Sequence, residues 1–240
     1  FKHKLVYIDK VKEFKGSEHT AFGTAMHYVC ENLVIDPKTK CMDLFNSKFI
    51  EELKLLKDSK IELDKKLVNS MRIQASQIVN YILPALKNTF NNFEVVSVEE
   101  ELMEKINDDL HFKGFIDLVI KKDDMYHVID WKTCSWGWDS KRKADRMTTY
   151  QLTLYKYFFA LKHNIDPSKI DTHFALLKRT AKKNNVEIFK VTSGAKKTDN
   201  ALKLLNKSIY NIKSNNFIKN RISCTCGYGC EFYNTKHCMR

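Results

Sequence analysis

"GFIDLVIKKDDMYHVIDWKT", residues 114–133, reads as a hairpin in which each arm carries an acid. Two runs rich in β-branched and aromatic residues flank the polar turn Lys122-Asp123-Asp124, the pattern of paired antiparallel strands. Asp117 sits between Ile116 and Leu118, and Asp130 between Ile129 and Trp131. Side chains two apart on a strand share a face, so Asp130 and Lys132 point one way with Val128, while Ile129 and Trp131 fill the other. Burying an acid and an amine is costly unless they are paired or hold a metal. If the arms pair across the turn, Asp117 and Asp130 meet at one end of the sheet, where a hard cation such as Mg²⁺ finds the oxygen ligands it prefers. Lys132 would then flank the water bound there. The competing reading makes each acid a strand-end residue paired with a nearby Lys or Arg.

Upstream, "FEVVSVEEELMEKI" (93–106) adds a strand joined by the turn Asn107-Asp108-Asp109 and completes an antiparallel meander. On it Glu99 and Glu101 share one face and Glu100 takes the other. Helical spacing marks residues 20–34, 44–57 and 63–90, the last expected to kink at Pro84. A long aromatic-rich helix is expected over 141–163, stopping before Asp166-Pro167. "DTHFALLKRT" (171–180) and "NVEIFKVT" (185–192) read as two more strands, followed by a helix over 195–214. There are no internal repeats and no Gly-rich phosphate loop.

The excess of 41 Lys and Arg over 29 Asp and Glu leaves a net charge of +12, with a local concentration at Lys141, Arg142, Lys143 and Arg146. That balance favours a polyanionic partner, although a lysine-rich surface that serves only solubility gives the same sum. No apolar stretch reaches the roughly 18 residues that cross a bilayer, and the first residues lack the basic-then-apolar pattern of a signal peptide. A cytoplasmic protein with no membrane partner is expected. The chain opens on Phe1 rather than methionine, so further residues are expected upstream.

In "GTAMHYVCE" (23–31), Gly23, His27 and Glu31 recur every four residues and share a helix face. The imidazole can complete a metal shell or serve a structural role, and Glu31 can join it or hold a basic neighbour. In "YQLTLY" (150–155), Gln151 and Tyr155 put an amide and a phenol on one side, fit to meet phosphate oxygens or simply to pack.

The order Gly-x-x-x-His on a helix, a glutamate-bearing strand, Gly-x-Ile-Asp, Asp-x-Lys and Gln-x-x-x-Tyr on a helix resembles the RecB-like branch of the PD-(D/E)XK nuclease superfamily, over about residues 20–160. The resemblance implies an α/β, restriction-endonuclease-like core with a central mixed β-sheet flanked by helices. One domain would span 1–240, with a helical insert at 44–90 and a Cys-rich tail at 222–240. By the same resemblance Asp117, Asp130 and His27 bind a catalytic Mg²⁺ or Mn²⁺, with the Trp131 carbonyl as a further ligand. Lys132 orients or activates the attacking water, and Gln151 and Tyr155 contact substrate and support the site. Family spacing selects Glu99 as the upstream acid, with Glu101 next. Ile116 stands where the superfamily's name has proline, an absence common in this branch. The implied function is hydrolysis of DNA phosphodiesters by an exonuclease of phage, repair or recombination type, acting at ends or single strands in a bacterial or phage-infected cell. A helicase or recombinase is the implied protein partner. The rival reading is a nuclease fold kept as a DNA-docking module without turnover.

Cys30, Cys41 and Cys134 are scattered, whereas "SCTCGYGCEFYNTKHC" (223–238) places Cys224, Cys226, Cys230 and Cys238 in the spacing C-x-C-x3-C-x7-C. Four thiolates are enough for a tetrahedral Zn²⁺ or a [4Fe-4S] cluster. RecB-like relatives hold an iron–sulfur cluster with three C-terminal cysteines and one near the domain start, and "FKHKLVYIDK" (1–10) resembles the segment after that first cysteine. Two wirings stand open: all four tail cysteines, or Cys226, Cys230 and Cys238 with a ligand upstream of Phe1. Free thiols are the third reading.

Overall fold

Glu94–Asn107, Leu110–Lys122 and Met125–Cys134 form β1, β2 and β3, the expected meander, in a computed structural model that describes residues 1–11, 16–219, 232–233 and 235–238. Ile170–Lys178 (β4) and Val186–Val191 (β5) extend the sheet in the order β1-β2-β3-β4-β5. Every neighbouring pair is antiparallel except β3 and β4, which run parallel from Tyr126 opposite Ile170 to Cys134 opposite Lys178. A parallel pair needs a crossover, supplied here by α4 (Ser140–Ala144) and α5 (Arg146–His163).

Three helices cover one face: α1 (Glu18–Ile35), α2 (Cys41–Asp58) and α3 (Lys65–Phe90). Their apolar stripes meet the sheet in one core, where Phe22, Met26, Phe45, Phe49, Ile78 and Ile82 join Leu118, Ile120, Ile129, Trp131, Ala175 and Leu177. On the opposite side α5 lays Phe158 on Phe112, ring centroids 4.1 Å apart, and Phe159 against Tyr126. The result is the mixed, helix-flanked α/β sheet that the motif order implies.

One helix expectation changes. The single helix over 141–163 is broken at Asp145, whose extended backbone (ψ 126°) ends α4 and whose carboxylate accepts the Thr148 N–H at 2.8 Å as the cap of α5. An Asp inside a helical run thus acts as a start signal, which spacing alone does not separate from an exposed interior acid. Pro84 lies inside α3, six residues before its end.

By Cα packing the chain forms two units. Lys15–Lys203 holds the sheet, α1 to α5 and the start of α6 (Ala195–Lys213); Phe1–Phe14 with Leu204–Arg240 forms the other. In the smaller unit Lys4 pairs with Asp9 at 2.8 Å, and the His3 and Phe217 rings stack with centroids 6.4 Å apart. No described helix is long and apolar enough to cross a membrane.

Near the start of β3, away from its acid, His127 meets His173 of β4 beneath Phe90, whose ring centroid lies 4.9 and 5.1 Å from theirs. Neither Nδ1 has a hydrogen-bond partner. Burial, then the neighbouring His127, pushes His173 down to about 4, and burial lowers His127 as well. The unfolded chain therefore binds more protons as pH falls from the ordinary imidazole range toward 4, so this contribution is intact at neutral pH and is lost on acidification. Between about pH 6.5 and 4.5 the wild type should lose about 2–3 kcal/mol more unfolding free energy than His173→Gln, as measured by denaturant titration. Parallel losses would remove His173 as the sensing group.

Candidate active site

The β2–β3 ladder pairs Leu118 with Ile129 and ends there. One step further in the same register Asp117 stands opposite Asp130. An unbroken ladder would give the Trp131 N–H a backbone carbonyl of β2; instead Oδ2 of Asp117 accepts it at 2.6 Å. The strands part at this rung, while β3 stays on β4 as far as Cys134. Asp130 is 1% exposed, and Lys132 Nζ lies 2.6 Å from its Oδ2. That contact is an ion pair outside hydrogen-bond angles, so the buried Oδ2 has no hydrogen-bond donor. Burial first, and the Asp117 charge second, raise the Asp130 carboxyl to about 6 against the pull of Lys132.

From α1, His27 places Nδ1 3.5 Å from Asp117 Oδ2. Burial opposes its protonation, but the hydrogen bond and charge of Asp117, and then the charge of Asp130, carry it above the ordinary imidazole value. One turn on, Glu31 hydrogen-bonds Glu99. Burial, the Glu99 charge and that shared bond push Glu31 up to about 7; burial and Asp117 raise Glu99. The basic neighbour that the sequence allowed for Glu31 is an acid instead.

Three consecutive glutamates on β1 separate cleanly. Glu99 has a left-handed backbone (φ 50°) between the rungs Val98–Leu118 and Glu100–Ile116. Such a conformation costs a non-glycine residue on the order of 1–3 kcal/mol and is concentrated at functional sites. Glu101 is exposed beside Lys113 at 3.7 Å, and Glu100 is held by Lys162 at 2.6 Å and His163 at 2.9 Å. Only Glu99 of the three joins the acids around Asp117.

On α5, Gln151 Nε2 donates to the Tyr155 hydroxyl at 3.1 Å. Burial raises the phenol's pKa, the Gln151 bond lowers it, and the Asp130 and Asp117 charges raise it again, so Tyr155 stays a neutral donor. A Cβ on Gly114 would come 2.8 Å from Tyr155 Cε1 and 3.2 Å from Phe112 Cε1, so the glycine of Gly-x-Ile-Asp makes room for Tyr155. Gly23 is different: a Cβ there would meet Thr133 Oγ1 at an ordinary 3.5 Å. Trp131 buries its whole side chain in the core and gives its amide to Asp117. Cys224, Cys226 and Cys230 lie outside the described residues; Cys238 is a half-buried free thiol.

Among the described residues, no group of three or more His, Cys, Asp or Glu side chains is arranged to hold a metal ion. Mg²⁺ needs fewer, since one or two carboxylates commonly bind it together with water and substrate phosphate. On that basis the donors fit. The buried Asp130 oxygen that lacks a hydrogen-bond donor lies beside Asp117, whose charge raises the pKa of both Asp130 and Glu99, a repulsion that a divalent cation relieves.

Among solved structures, a candidate exonuclease from Eubacterium rectale is similar in fold, with a TM-score of 0.57 at 12% identity over 92% of this chain and 77% of that one. The protein SSO0001 reaches a TM-score of 0.35 at 14% identity, covering 82% of this chain and 88% of its own, too distant to argue from. No curated protein matches the chain. The model of the PD-(D/E)XK nuclease superfamily matches residues 1–235. A match over nearly the whole length decides the assignment: the chain belongs to the PD-(D/E)XK nuclease superfamily.

Proposed function

We propose that the protein is a Mg²⁺- or Mn²⁺-dependent deoxyribonuclease of the RecB-like branch, one nuclease domain over 1–240 that digests DNA from ends or along single strands. The observation that carries this reading is the parted rung, where Asp117 and Asp130 stand opposite one another with Lys132 against the orphaned Asp130 oxygen. The exonuclease mode rests on the motif order and on the name carried by the similar Eubacterium rectale protein. DNA as substrate is supported by the +12 net charge. Recombination, repair or phage DNA processing in the cytoplasm, with a helicase or recombinase delivering the ends, is the setting in which such an activity acts.

Asp117 and Asp130 would hold the cation, with His27 and the Trp131 carbonyl as the further donors that the family pattern implies. When bound, the ion supplies Lewis-acid polarisation of the scissile phosphate. Lys132, fixed by its ion pair with Asp130, offers an ammonium to the developing charge and to the attacking water. Tyr155, held neutral and braced by Gln151, donates to a phosphate oxygen. Glu99 adds a carboxylate beside Asp117.

With Mg²⁺ or Mn²⁺, linear DNA should be degraded and closed circles spared. Digestion of circles would make the enzyme an endonuclease, and no turnover with either metal would favour the docking module. Asp130→Asn and Lys132→Ala should each cut cleavage at least about a hundredfold while DNA binding in EDTA persists; cleavage at the wild-type rate would remove the assigned site. Glu99→Gln should lower cleavage roughly tenfold or more and Glu101→Gln should leave it near wild type; the reverse order would transfer the role to Glu101. For the tail, the Zn²⁺ or [4Fe-4S] reading of Cys224, Cys226, Cys230 and Cys238 is supported by spacing and resemblance alone. Iron, sulfide and zinc analysis of anaerobically purified protein should find one of these complements; their joint absence from a competent preparation would leave four thiols.

A further inference from the structure

We infer that a single-stranded nucleic acid runs from the candidate active site over Trp136, which stacks on a base, and into a groove lined by cations and amides between α3 and the β4–β5 turn. This rests on the nuclease reading of the site and names the path its substrate takes.

Trp136 is 77% exposed, whereas Trp131 is wholly buried and Trp138 is 8% exposed. Its exposure is built into a fixed loop. The Cys134 carbonyl accepts the Arg179 N–H at 2.9 Å, and the Ser135 carbonyl accepts the Thr180 N–H at 2.8 Å and the Thr180 hydroxyl at 2.9 Å. Trp138 is anchored against Phe174, centroids 5.0 Å apart, with the Arg142 guanidinium 4.7 Å over its ring. Gly137 takes φ 129°, which side-chain-bearing residues rarely adopt, and turns the chain between the two indoles. One indole is therefore driven into the core and its neighbour held in water.

A lone exposed aromatic needs no explanation by itself; the surface beside it supplies one. Trp136 follows Lys132 by four residues, at most about 14 Å of extended chain. Around it, His19, Thr133, Arg142 and Arg179 line a hollow of about 350 Å³. Arg179 also lines a second, about 930 Å³, which follows α3 past Lys66, Gln74 and Gln77 to Lys182 on the β4–β5 turn. Among the described residues, no carboxylate lines either hollow. Two nearby acids are engaged: Glu18 accepts the Asp64 N–H at 2.8 Å, and Glu187 pairs with Lys143 and Lys178. Cations and amides in a groove with a flat aromatic at its mouth match the chemistry of single strands, which offer both phosphates and free base faces. A closed circular duplex keeps every base stacked between neighbours and has no free face to give Trp136.

Trp136 is the exposed tryptophan, so in EDTA, which prevents turnover, an oligothymidylate should quench the intrinsic fluorescence and a closed circular duplex should not. Trp136→Ala should weaken oligothymidylate binding about five- to thirtyfold and abolish the quench, with an unchanged Tm, and Trp136→Phe should recover most of the affinity. Lys66→Ala with Lys182→Ala should reduce the salt slope of binding by about two. Unchanged affinity in a folded Trp136→Ala protein, or equal quenching by the closed circular duplex, overturns the track. Wild-type protein that binds but cleaves no nucleic acid with either metal would instead overturn the nuclease reading, since the binding assay needs no turnover.

Discussion

The hydrogen bond from the Trp131 amide to the Asp117 carboxylate replaces a rung of the sheet with a side chain. A buried backbone N–H must find an acceptor, and where β2 leaves β3 the only strand partner is lost. Asp117 supplies one of its own oxygens. That single substitution lets two strands separate without an unsatisfied amide, and it leaves the acid pinned at the point of separation, opposite Asp130. His27 then approaches the same oxygen from α1, so helix layer and sheet converge on one carboxylate.

The site is a negative centre in a positive chain. Asp117 and Asp130 are buried together with Glu99 and Glu31 beside them, and among the described residues Lys132 and His27 stand against them. Raised carboxyl pKa values record that imbalance. The surplus cationic side chains lie elsewhere, including along α3 and around the loop after β3. On the proposed function, a polyanion would be attracted to the surface while its scissile phosphate would meet acids that tolerate it only with a counter-ion between them.

Much of this was legible because its cause is local. Turn residues at 107–109 and 122–124 fix the meander, and antiparallel pairing about the second turn forces Asp117 opposite Asp130 once the register is set. Period-two alternation also puts Asp130 and Lys132 together, and they are 2.6 Å apart. What was not legible involves exceptions to periodicity or contacts between distant elements. Alternation puts Glu99 and Glu101 on one face, and only the left-handed turn of the backbone at Glu99 parts them. The Glu99 charge that raises Glu31 acts between residues on β1 and α1, which no spacing rule connects. Asp145 breaks a helix because its side chain caps the next one, a choice that a single acid in a helical run does not announce.

The backbone of Glu99 sets stability against chemistry at one position. Glycine or asparagine would occupy that left-handed conformation more comfortably. Laboratory selection for heat resistance alone would therefore drift toward replacing Glu99, gaining a relaxed strand and discarding a carboxylate. On the role proposed for Glu99, retaining glutamate there requires selection on turnover as well, so a library ranked only by melting temperature would enrich well-folded proteins stripped of that acid.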